Sequence, residues 1–343
     1  MSKKRTIYTL AEELQLAPGT ISKVLNKTGN VSESTRKRVM DHIKAVGYVP
    51  TSSARMLKSK RTYTVGIVFT EELSIGLEHS FFSSILQHFK NYVEKEGYEL
   101  SFIVKRLGKN ELSYYQWCMN KRIDGVYIVV GNYNDQGLYE LINSPIPCVS
   151  TDMIMDGLHT VICDNDQGIR ISLDYAVFEL KQTHIGMISG PISSKAFNER
   201  YLAFKKYMKH HNLSYQEEDI VFAESFGFTS GYRAMESMIQ QNPHLPNVLL
   251  VGSDDIALGV LKACKDYHLS IPQDIQIIGF DDISFAKHFT PPLTTIVQDR
   301  KMLGEIAAKQ LISLMEHPEI KLPEIVRLPV SLIERDTTQK ASS

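Results

Sequence analysis

The chain changes character close to residue 62, and this change limits the folds it can adopt. Residues 1–62 hold 13 Lys and Arg against 4 Asp and Glu, whereas the other 281 residues hold 25 against 35. The basic part shows only helical periodicity, and the part from Tyr63 onward alternates short β-rich runs with helical stretches. We therefore expect a small cationic helical domain followed by a larger α/β domain. Dense positive charge favours a polyanionic partner, mainly through the release of condensed counterions.

Three short helices are predicted in the basic part from their caps and their apolar spacing. Thr6 caps the first helix, and Pro18 opens the second, where its missing N–H costs no hydrogen bond. Ser32 caps the third helix, and Gly47 ends it. The residues that face inward are Ile7, Leu10, Ala11, Leu14, Ile21, Val24, Leu25, Val39, Ile43 and Val46. Two short helices joined by a tight turn and supported by a third form a helix-turn-helix, whose second helix enters the major groove of DNA.

This segment resembles the headpiece of the lactose-repressor (LacI/GalR) family of bacterial transcription regulators. The motifs TISKVLN, VSESTRKRV and GYVP stand at the spacing of that family, and GFDDISFAKHFTPPLTTIVQD extends the resemblance to nearly the whole chain. It implies an all-α helix-turn-helix headpiece plus an α/β core of two lobes, like that of periplasmic binding proteins, with two doubly wound parallel sheets. It also implies a homodimer that binds palindromic double-stranded operator DNA under the control of a small-molecule effector, since dimeric DNA readers mirror their own symmetry.

The resemblance divides the chain into a headpiece at residues 1–49, a hinge helix and linker at 50–62, and an effector-binding and dimerisation core at 63–343. In the family, the hinge helix folds when two subunits pair on DNA, and a leucine enters the minor groove. Leu57 stands at that position and Ala54 at the preceding contact position. An apolar wedge unstacks a base step and kinks the duplex. The alternative is a flexible linker with an incidental leucine, because so short a helix is marginal in water.

The predicted DNA contacts depart from the commoner pattern of the family. Pro18 and Gly19 occupy recognition positions, and neither side chain can form a bidentate contact with a base. Lys23 is then the best candidate to read guanine, while other contacts position the protein on phosphates. The predicted DNA-binding set is Thr6, Pro18, Gly19, Thr20, Ser22, Lys23, Asn26, Thr51, Ala54, Arg55 and Leu57.

Parallel sheets are expected after residue 63, because short apolar runs alternate with helices such as 81–96 and 169–181. About 280 residues suit two stacked lobes better than one open sheet. The runs are 64–70, 98–105, 125–130, 148–151, 184–189, 219–223, 248–251 and 275–279.

The lobe boundaries follow from the resemblance to a two-lobed core in which the chain crosses three times. We place the first lobe at about 63–163 and 293–323, and the second at about 164–291 and 325–340. The crossings are then expected near residues 164, 291–294 and 323–325.

The ligand of a doubly wound fold binds beyond the carboxyl ends of its strands, and this selects a short set of candidates. The expected effector-binding residues are Phe81, Phe82, Asp152, Arg200, Phe226, Ser253, Asp254 and Asp281. Carboxylates that accept from hydroxyls, an arginine that donates and flat aromatic faces together suit a sugar. Each residue also has a structural alternative: the phenylalanines as core, Asp254 and Asp281 as helix caps, and Arg200 as a surface ion pair.

The same features argue against other classes of protein. Four cysteines show no paired or metal-like spacing, and no cofactor or metal site is expected. No secretory signal and no long apolar span are visible, so we expect a cytoplasmic protein without a membrane partner rather than an exported solute-binding protein. A hydrolase with paired carboxylates is less expected, because Arg200 would keep the carboxylates ionised. A protein corepressor or a purine-like corepressor remains an alternative to a carbohydrate effector, and Lys205, Lys206 and Lys209 form a basic stretch compatible with a protein partner.

Overall fold

The computed structural model describes residues 6–25, 28–48, 61–69, 77, 79–104, 106–151 and 153–341. These residues form two compact units, which divide between Thr62 and Tyr63. The first unit contains the helices α1 (Ile7–Leu14), α2 (Pro18–Leu25) and α3 (Glu33–Val46). The second contains two α/β lobes, each built on a six-stranded sheet.

The three helices of the first unit form where caps and apolar spacing predict them. The Thr6 side chain accepts from the backbone N–H of Thr9, and Ser32 accepts from that of Thr35. Gly47 ends α3 in the left-handed conformation, with φ of 62°. The buried side chains, which close a small apolar core, are Leu10, Ala11, Ile21, Val24, Val39, Ile43 and Tyr48.

The first lobe is a parallel sheet covered by helices. Its strands are ordered β13-β7-β6-β5-β1-β2, and every pairing is parallel. Its elements are β1 (Thr64–Phe69), α4 (Ser80–Lys95), β2 (Glu99–Phe102), the hairpin β3 (Arg106–Leu107) and β4 (Asn110–Glu111), α5 (Tyr114–Lys121), β5 (Gly125–Val130), α6 (Gln136–Ile142), β6 (Cys148–Ser150), β7 (His159–Cys163), α11 (Arg300–Glu316) and β13 (Ile325–Leu328). Strand β5 is buried along its whole length, as a sheet covered on both faces requires.

The second lobe repeats the plan with one antiparallel edge. Its strands are ordered β14-β12-β11-β10-β8-β9, and only the pairing of β12 with β14 is antiparallel. Its elements are α7 (Asn165–Phe178), β8 (Ile185–Ser189), α8 (Lys195–His210), β9 (Ile220–Phe222), α9 (Phe228–Gln241), β10 (Val248–Val251), α10 (Asp254–Asp266), β11 (Gln276–Asp281), β12 (Thr294–Val297) and β14 (Ser331–Ile333), with 3₁₀ turns at Glu217–Asp219 and Ala286–His288.

Two of the three predicted crossings between the lobes lie later in the chain than expected. The first falls at Asp164, as predicted, but β12 pairs with β11 and so belongs to the second lobe rather than the first. Strand β13 pairs with β7 and belongs to the first lobe, not the second. The second crossing therefore follows β12 and the third follows β13. The predicted lobe ranges 293–323 and 325–340 are wrong at these points, because the two β-branched runs were not recognised as strands.

Candidate functional site

The outer face of α2 in the first unit carries the predicted DNA contacts that the structure describes. Ile21 and Val24 point into the core, whereas Pro18, Gly19 and Lys23 are exposed and Thr20 and Ser22 are half-buried. Thr6 is exposed and caps α1. The DNA-contact assignment of these residues stays a prediction. Asn26, Thr51, Ala54, Arg55 and Leu57 lie outside the described residues.

One aromatic side chain of this unit was not singled out from the sequence. Tyr8 on α1 keeps 70% of its surface exposed, although it belongs to a helix whose other apolar residues face the core. Its position one residue after Ile7 places it off the buried stripe, and that spacing could have revealed it.

The second unit contains a cleft between its two lobes, at the carboxyl ends of the strands. Six of the eight predicted effector residues line it together: Phe81, Phe82, Arg200, Phe226, Ser253 and Asp281. An adjoining cavity shares Phe81 and Arg200 and extends to the crossing between the lobes, where Asn165 and Gln298 line it. This is where a doubly wound fold places its ligand.

Arg200 lies at the centre of the cleft and is held on several sides. Its Nε donates to Asn165 Oδ1 at 2.8 Å, and its Nη1 donates to the carbonyl oxygen of Gly252. Its guanidinium carbon lies 3.7 Å from the centre of the Phe280 ring, and its Nη2 lies 3.9 Å from Asp281 Oδ1. Only 5% of the residue is exposed. A buried guanidinium fixed in this way is a preorganised donor and not a surface ion pair.

Asp281 supplies the carboxylate that faces Arg200. Its Oδ1 accepts from Gln298 Nε2 at 2.6 Å, and its backbone φ is 125°, in the region that L residues rarely adopt. Burial raises the pKa of Asp281 to about 7, although Arg200 and Gln298 act in the opposite direction. Strain and a perturbed acid at one buried position are features that gather at functional sites.

Aromatic rings form the apolar walls of the cleft. The rings of Phe81 and Phe82 lie 5.3 Å apart at the start of α4, and those of Phe197 and Phe226 lie 5.3 Å apart in the second lobe. Phe81 and Phe82 also belong to the core, which confirms the structural interpretation, while their role in binding an effector stays a prediction.

Asp254 was expected to bind the effector, but its side chain forms hydrogen bonds inside the second lobe. It does not line either cavity. One oxygen accepts from Thr295 Oγ1 at 2.6 Å and the other accepts from the backbone N–H of Ile283 at 2.9 Å. Burial raises the pKa of Asp254 well above its ordinary value. Its neighbour Ser253 both caps α10 and lines the cleft, and Asp152 lies outside the described residues.

Several cleft residues were not predicted from the sequence. Asn165 and Gln298 orient Arg200 and Asp281, and Glu199 holds Asn165 by accepting from its Nδ2 at 2.9 Å. Lys195 reaches across to donate to the carbonyl oxygen of Ile154 at 2.5 Å. Asn165 is the second residue after β7 and Gln298 is the first after β12, so recognising those two strands would have found both residues.

Several polar contacts join the two lobes beside the cleft. Lys195 in α8 bonds to the first lobe through Ile154, and Arg327 in β13 pairs with Glu199 at 3.0 Å. Ser80 Oγ in α4 donates to Asp255 in α10 at 3.3 Å. Lobe closure is thus linked to polar groups that the cleft itself contains.

The four cysteines are buried thiols with raised pKa values. Burial raises the pKa of Cys118, Cys163 and Cys264 to about 12, and that of Cys148 further still. Across the part of the chain that the structure describes, no group of His, Cys, Asp and Glu is arranged to hold a metal ion. Within those same residues, each helix is too short or too polar to span a bilayer.

Comparison with known proteins agrees with a helix-turn-helix regulator that has a two-lobed core. Residues 6–51 match the model of bacterial regulatory proteins of the lacI family, and residues 176–338 match the periplasmic binding protein-like domain. The HTH-type transcriptional repressor PurR of Aliivibrio salmonicida is 30% identical over 332 residues, which cover 94% of this chain and 97% of that protein. Catabolite control protein A of Priestia megaterium is 28% identical over 347 residues, covering 97% and 99%. A solved structure of the Lac repressor bound to ONPG in the repressed state superposes with a TM-score of 0.80 at 25% identity, covering 98% of this chain and all of that one.

The chain belongs to the lacI family of bacterial regulatory proteins. It is a DNA-binding transcriptional regulator with a helix-turn-helix unit and a two-lobed α/β core, and the predictions of family and fold class are confirmed.

Proposed function

We propose that the protein is a dimeric repressor whose affinity for a palindromic operator is controlled by a carbohydrate or carbohydrate derivative in the cleft. The observation that carries this proposal is Arg200, buried between Phe280 and Asp281 and oriented by Asn165. A sugar offers hydroxyls to both the guanidinium and the carboxyl group, and its C–H face packs on phenylalanine rings. Since the operator DNA of a bacterium lies in the cytoplasm, the proposal includes a cytoplasmic location.

The ligand acts by changing how closely the lobes approach each other. Residues from both lobes line the cleft, so a bound molecule has different contacts in the open and the closed state. A ligand that favours one state shifts the population towards it, and one with equal affinity for both shifts nothing. If closure alters the pairing of two hinge helices, ligand and operator are coupled reciprocally: an inducer weakens operator binding, and a corepressor strengthens it.

A purine-like corepressor is the second candidate, and the number of aromatic rings favours it. Four phenylalanines line the cavity together with Arg200, at positions 81, 82, 197 and 226, and Phe280 packs against the guanidinium. A flat base could stack between rings that a sugar would cover only in part. A protein corepressor has less support from the predicted basic stretch, because Lys206 binds Asp166 at 2.8 Å and Lys205 lies over the ring of Tyr201.

A thermal-shift screen of the full chain against sugars, sugar phosphates, nucleobases and amino acids tests the ligand class. A ligand at 100 times its Kd adds about 2.7 kcal/mol to the free energy of unfolding of the unit that binds it. Arg200→Met keeps the apolar length of the side chain and should abolish the shift. Stabilisation by nucleobases alone would favour the second candidate, and chemical turnover of the ligand by purified protein would overturn a binding role.

Operator binding is tested separately: bound sequences are selected from random DNA duplexes, and the tightest-binding duplex is footprinted. We expect a two-fold symmetric footprint. Leu57→Ala should weaken operator binding and leave ligand affinity nearly unchanged, whereas Arg200→Met should do the reverse. A single asymmetric site bound by one monomer, or loss of ligand binding in Leu57→Ala, would contradict the proposal.

A further inference from the structure

Beside the cleft, the start of α4 in the first lobe faces the first turn of α10 in the second. Ser80 Oγ donates to Asp255 Oδ2 at 3.3 Å, and His79 Nε2 lies 3.6 Å from the same oxygen. Asp255 therefore receives two polar side chains from the opposite lobe. Helix α4 packs on the sheet of its own lobe and α10 on the other, so these contacts exist only while the lobes lie close together.

The other nitrogen of the His79 ring belongs to the cleft. His79 lines the same cavity as Arg200 and Asp281, and its ring centre lies 5.0 Å from that of Phe82. Its Nδ1 is buried and has no hydrogen-bond partner among the residues that the structure describes. A buried polar atom without a partner is uncommon and costs free energy, so the molecule that fills this cavity is the natural source of one.

The chemistry of that partner follows from the tautomer of the ring. Burial lowers the pKa of His79, and the Asp255 carboxylate opposes this only in part, so the imidazole is neutral at pH 7. A neutral imidazole has one N–H donor and one acceptor. A carboxylate can only accept, so the proton lies on Nε2, which faces Asp255, and Nδ1 presents a lone pair to the cleft.

We propose that His79 determines the specificity of the cleft: Nδ1 accepts a hydrogen bond from a ligand hydroxyl or ring N–H, while the Nε2 proton faces Asp255 of the opposite lobe, 3.6 Å away. The inference rests on the proposed function, because it assumes that the cleft takes an effector. A single imidazole then reports both events, ligand contact on one nitrogen and lobe closure on the other. A ligand without a donor at this point leaves the lone pair unpaired and is rejected, as sites built for a hydrogen bond reject analogues that lack it.

Two amide substitutions separate the two nitrogens. The side-chain amide of glutamine reaches the position of Nε2, and that of asparagine reaches the position of Nδ1. His79→Gln thus keeps a partner for Asp255 and removes the acceptor from the cleft, whereas His79→Asn keeps a polar group in the cleft and releases Asp255. His211→Gln is the matched control, because His211 also pairs with an aspartate, Asp174 at 2.9 Å, outside the cleft.

The tautomer is measured without any ligand, on the full chain labelled with ¹⁵N-histidine. Long-range ¹H–¹⁵N correlation spectra distinguish the two neutral tautomers and the protonated ring, and the signal lost in His79→Gln identifies His79. We expect the Nε2–H tautomer at pH 7. A proton on Nδ1, or a charged ring at that pH, would overturn the proposal whatever the ligand turns out to be.

Specificity is measured by calorimetry with D-ribose, D-glucose, cellobiose and adenine, and with the deoxy or N-methyl analogues of whichever binds. We expect His79→Gln to weaken binding of the parent compound at least about tenfold and to leave the analogue that lacks the critical donor unchanged. His79→Asn should retain the preference for the parent, and His211→Gln should bind as the unaltered protein does. An equal loss for parent and analogue would assign His79 a purely structural role and refute the proposal. Failure of every probe with the unaltered protein would instead contradict the proposed ligand class, and the tautomer measurement would still decide the role of His79.

Discussion

Replacing Asp281 by asparagine should stabilise the core at alkaline pH and have a much smaller effect at acidic pH. Asp281 is 4% exposed, and burial raises its pKa to about 7 from an ordinary value of 3.8. The folded protein therefore holds a proton on this group between about pH 4 and pH 7, when the unfolded chain has lost it. Because the folded state binds more protons in that window, its free energy of unfolding falls as the pH rises.

The size of the effect follows from the difference between the two pKa values. One pKa unit corresponds to 1.36 kcal/mol, so the carboxylate costs the folded state roughly 4 kcal/mol once both states are ionised. The pKa of about 7 already includes the opposing effects of Arg200 and Gln298, and asparagine keeps an acceptor for the Gln298 amide. We expect at least about 1 kcal/mol more stabilisation of Asp281→Asn at pH 8.5 than at pH 5.

Urea unfolding of both proteins at the two pH values measures this difference. Trp117 is the only tryptophan of the chain and is buried in the first lobe, so its fluorescence reports the core, and circular dichroism reports both units. Asp156→Asn, at an exposed position of the first lobe, is the control and should change nothing with pH. An equal effect of Asp281→Asn at both pH values, or a larger stabilisation at pH 5, would refute the argument that burial dominates at this carboxyl.

Three further predictions concern packing. Gly259→Ala should destabilise the second lobe by about 3 kcal/mol, because the added Cβ would overlap the carbonyl oxygen of Phe228 where α9 and α10 cross. Gly19→Ala is the control and should cost no stability, because the space around Gly19 is open. The urea unfolding midpoints of the two variants measure the difference. Leu10→Ala should lower the free energy of unfolding of the small helical unit by about 2–5 kcal/mol and unfold that unit. Operator binding should then be lost, while the unfolding midpoint measured by Trp117 fluorescence stays unchanged. The four buried thiols should react with a disulfide reagent only after unfolding; they belong to Cys118, Cys148, Cys163 and Cys264. A thiol that reacts fast in the native protein would contradict this.

The helices of the small unit could be predicted from the sequence because each signal is local. Thr6, Ser32 and Gly47 act on backbone groups three or four residues away, and the apolar stripes recur at helical spacing. A single packing solution then closes the core around Ile21 and Val39.

The strands of the core were predictable where burial is complete and less so at the crossings. Strands such as β5 and β10 are apolar throughout, because helices cover both faces of the sheet. Strand β13 sits at a sheet edge, with Ile325 and Arg327 exposed, and β14 has only three residues. An edge strand has one neighbour and little apolar signal, so only the paired partner, far away in the chain, reveals it.

The fate of an aspartate that follows a strand depends on residues distant in the sequence. Asp254 lies three residues after β10 and Asp281 ends β11, so both stand near the carboxyl ends of neighbouring strands, yet their surroundings differ. Thr295 and the N–H of Ile283 hold Asp254 inside the lobe, while Gln298 holds Asp281 in the cleft. The sequence around each aspartate contains neither partner, so the distinction requires the fold.

Two amide side chains that sequence reasoning missed lie both in the cleft and beside the crossings between the lobes. Asn165 and Gln298 follow β7 and β12, so each is the first or second residue on the far side of a crossing between the lobes. Both bind groups that line the cleft, Arg200 and Asp281. A change in the angle between the lobes must turn the backbone at these crossings. It therefore moves the Asn165 oxygen that accepts from the guanidinium and the Gln298 amide that donates to the carboxyl group. We therefore predict that ligand affinity and lobe angle are linked through these two amides. Substituting either amide should alter the coupling to operator binding more than a substitution in the aromatic wall does.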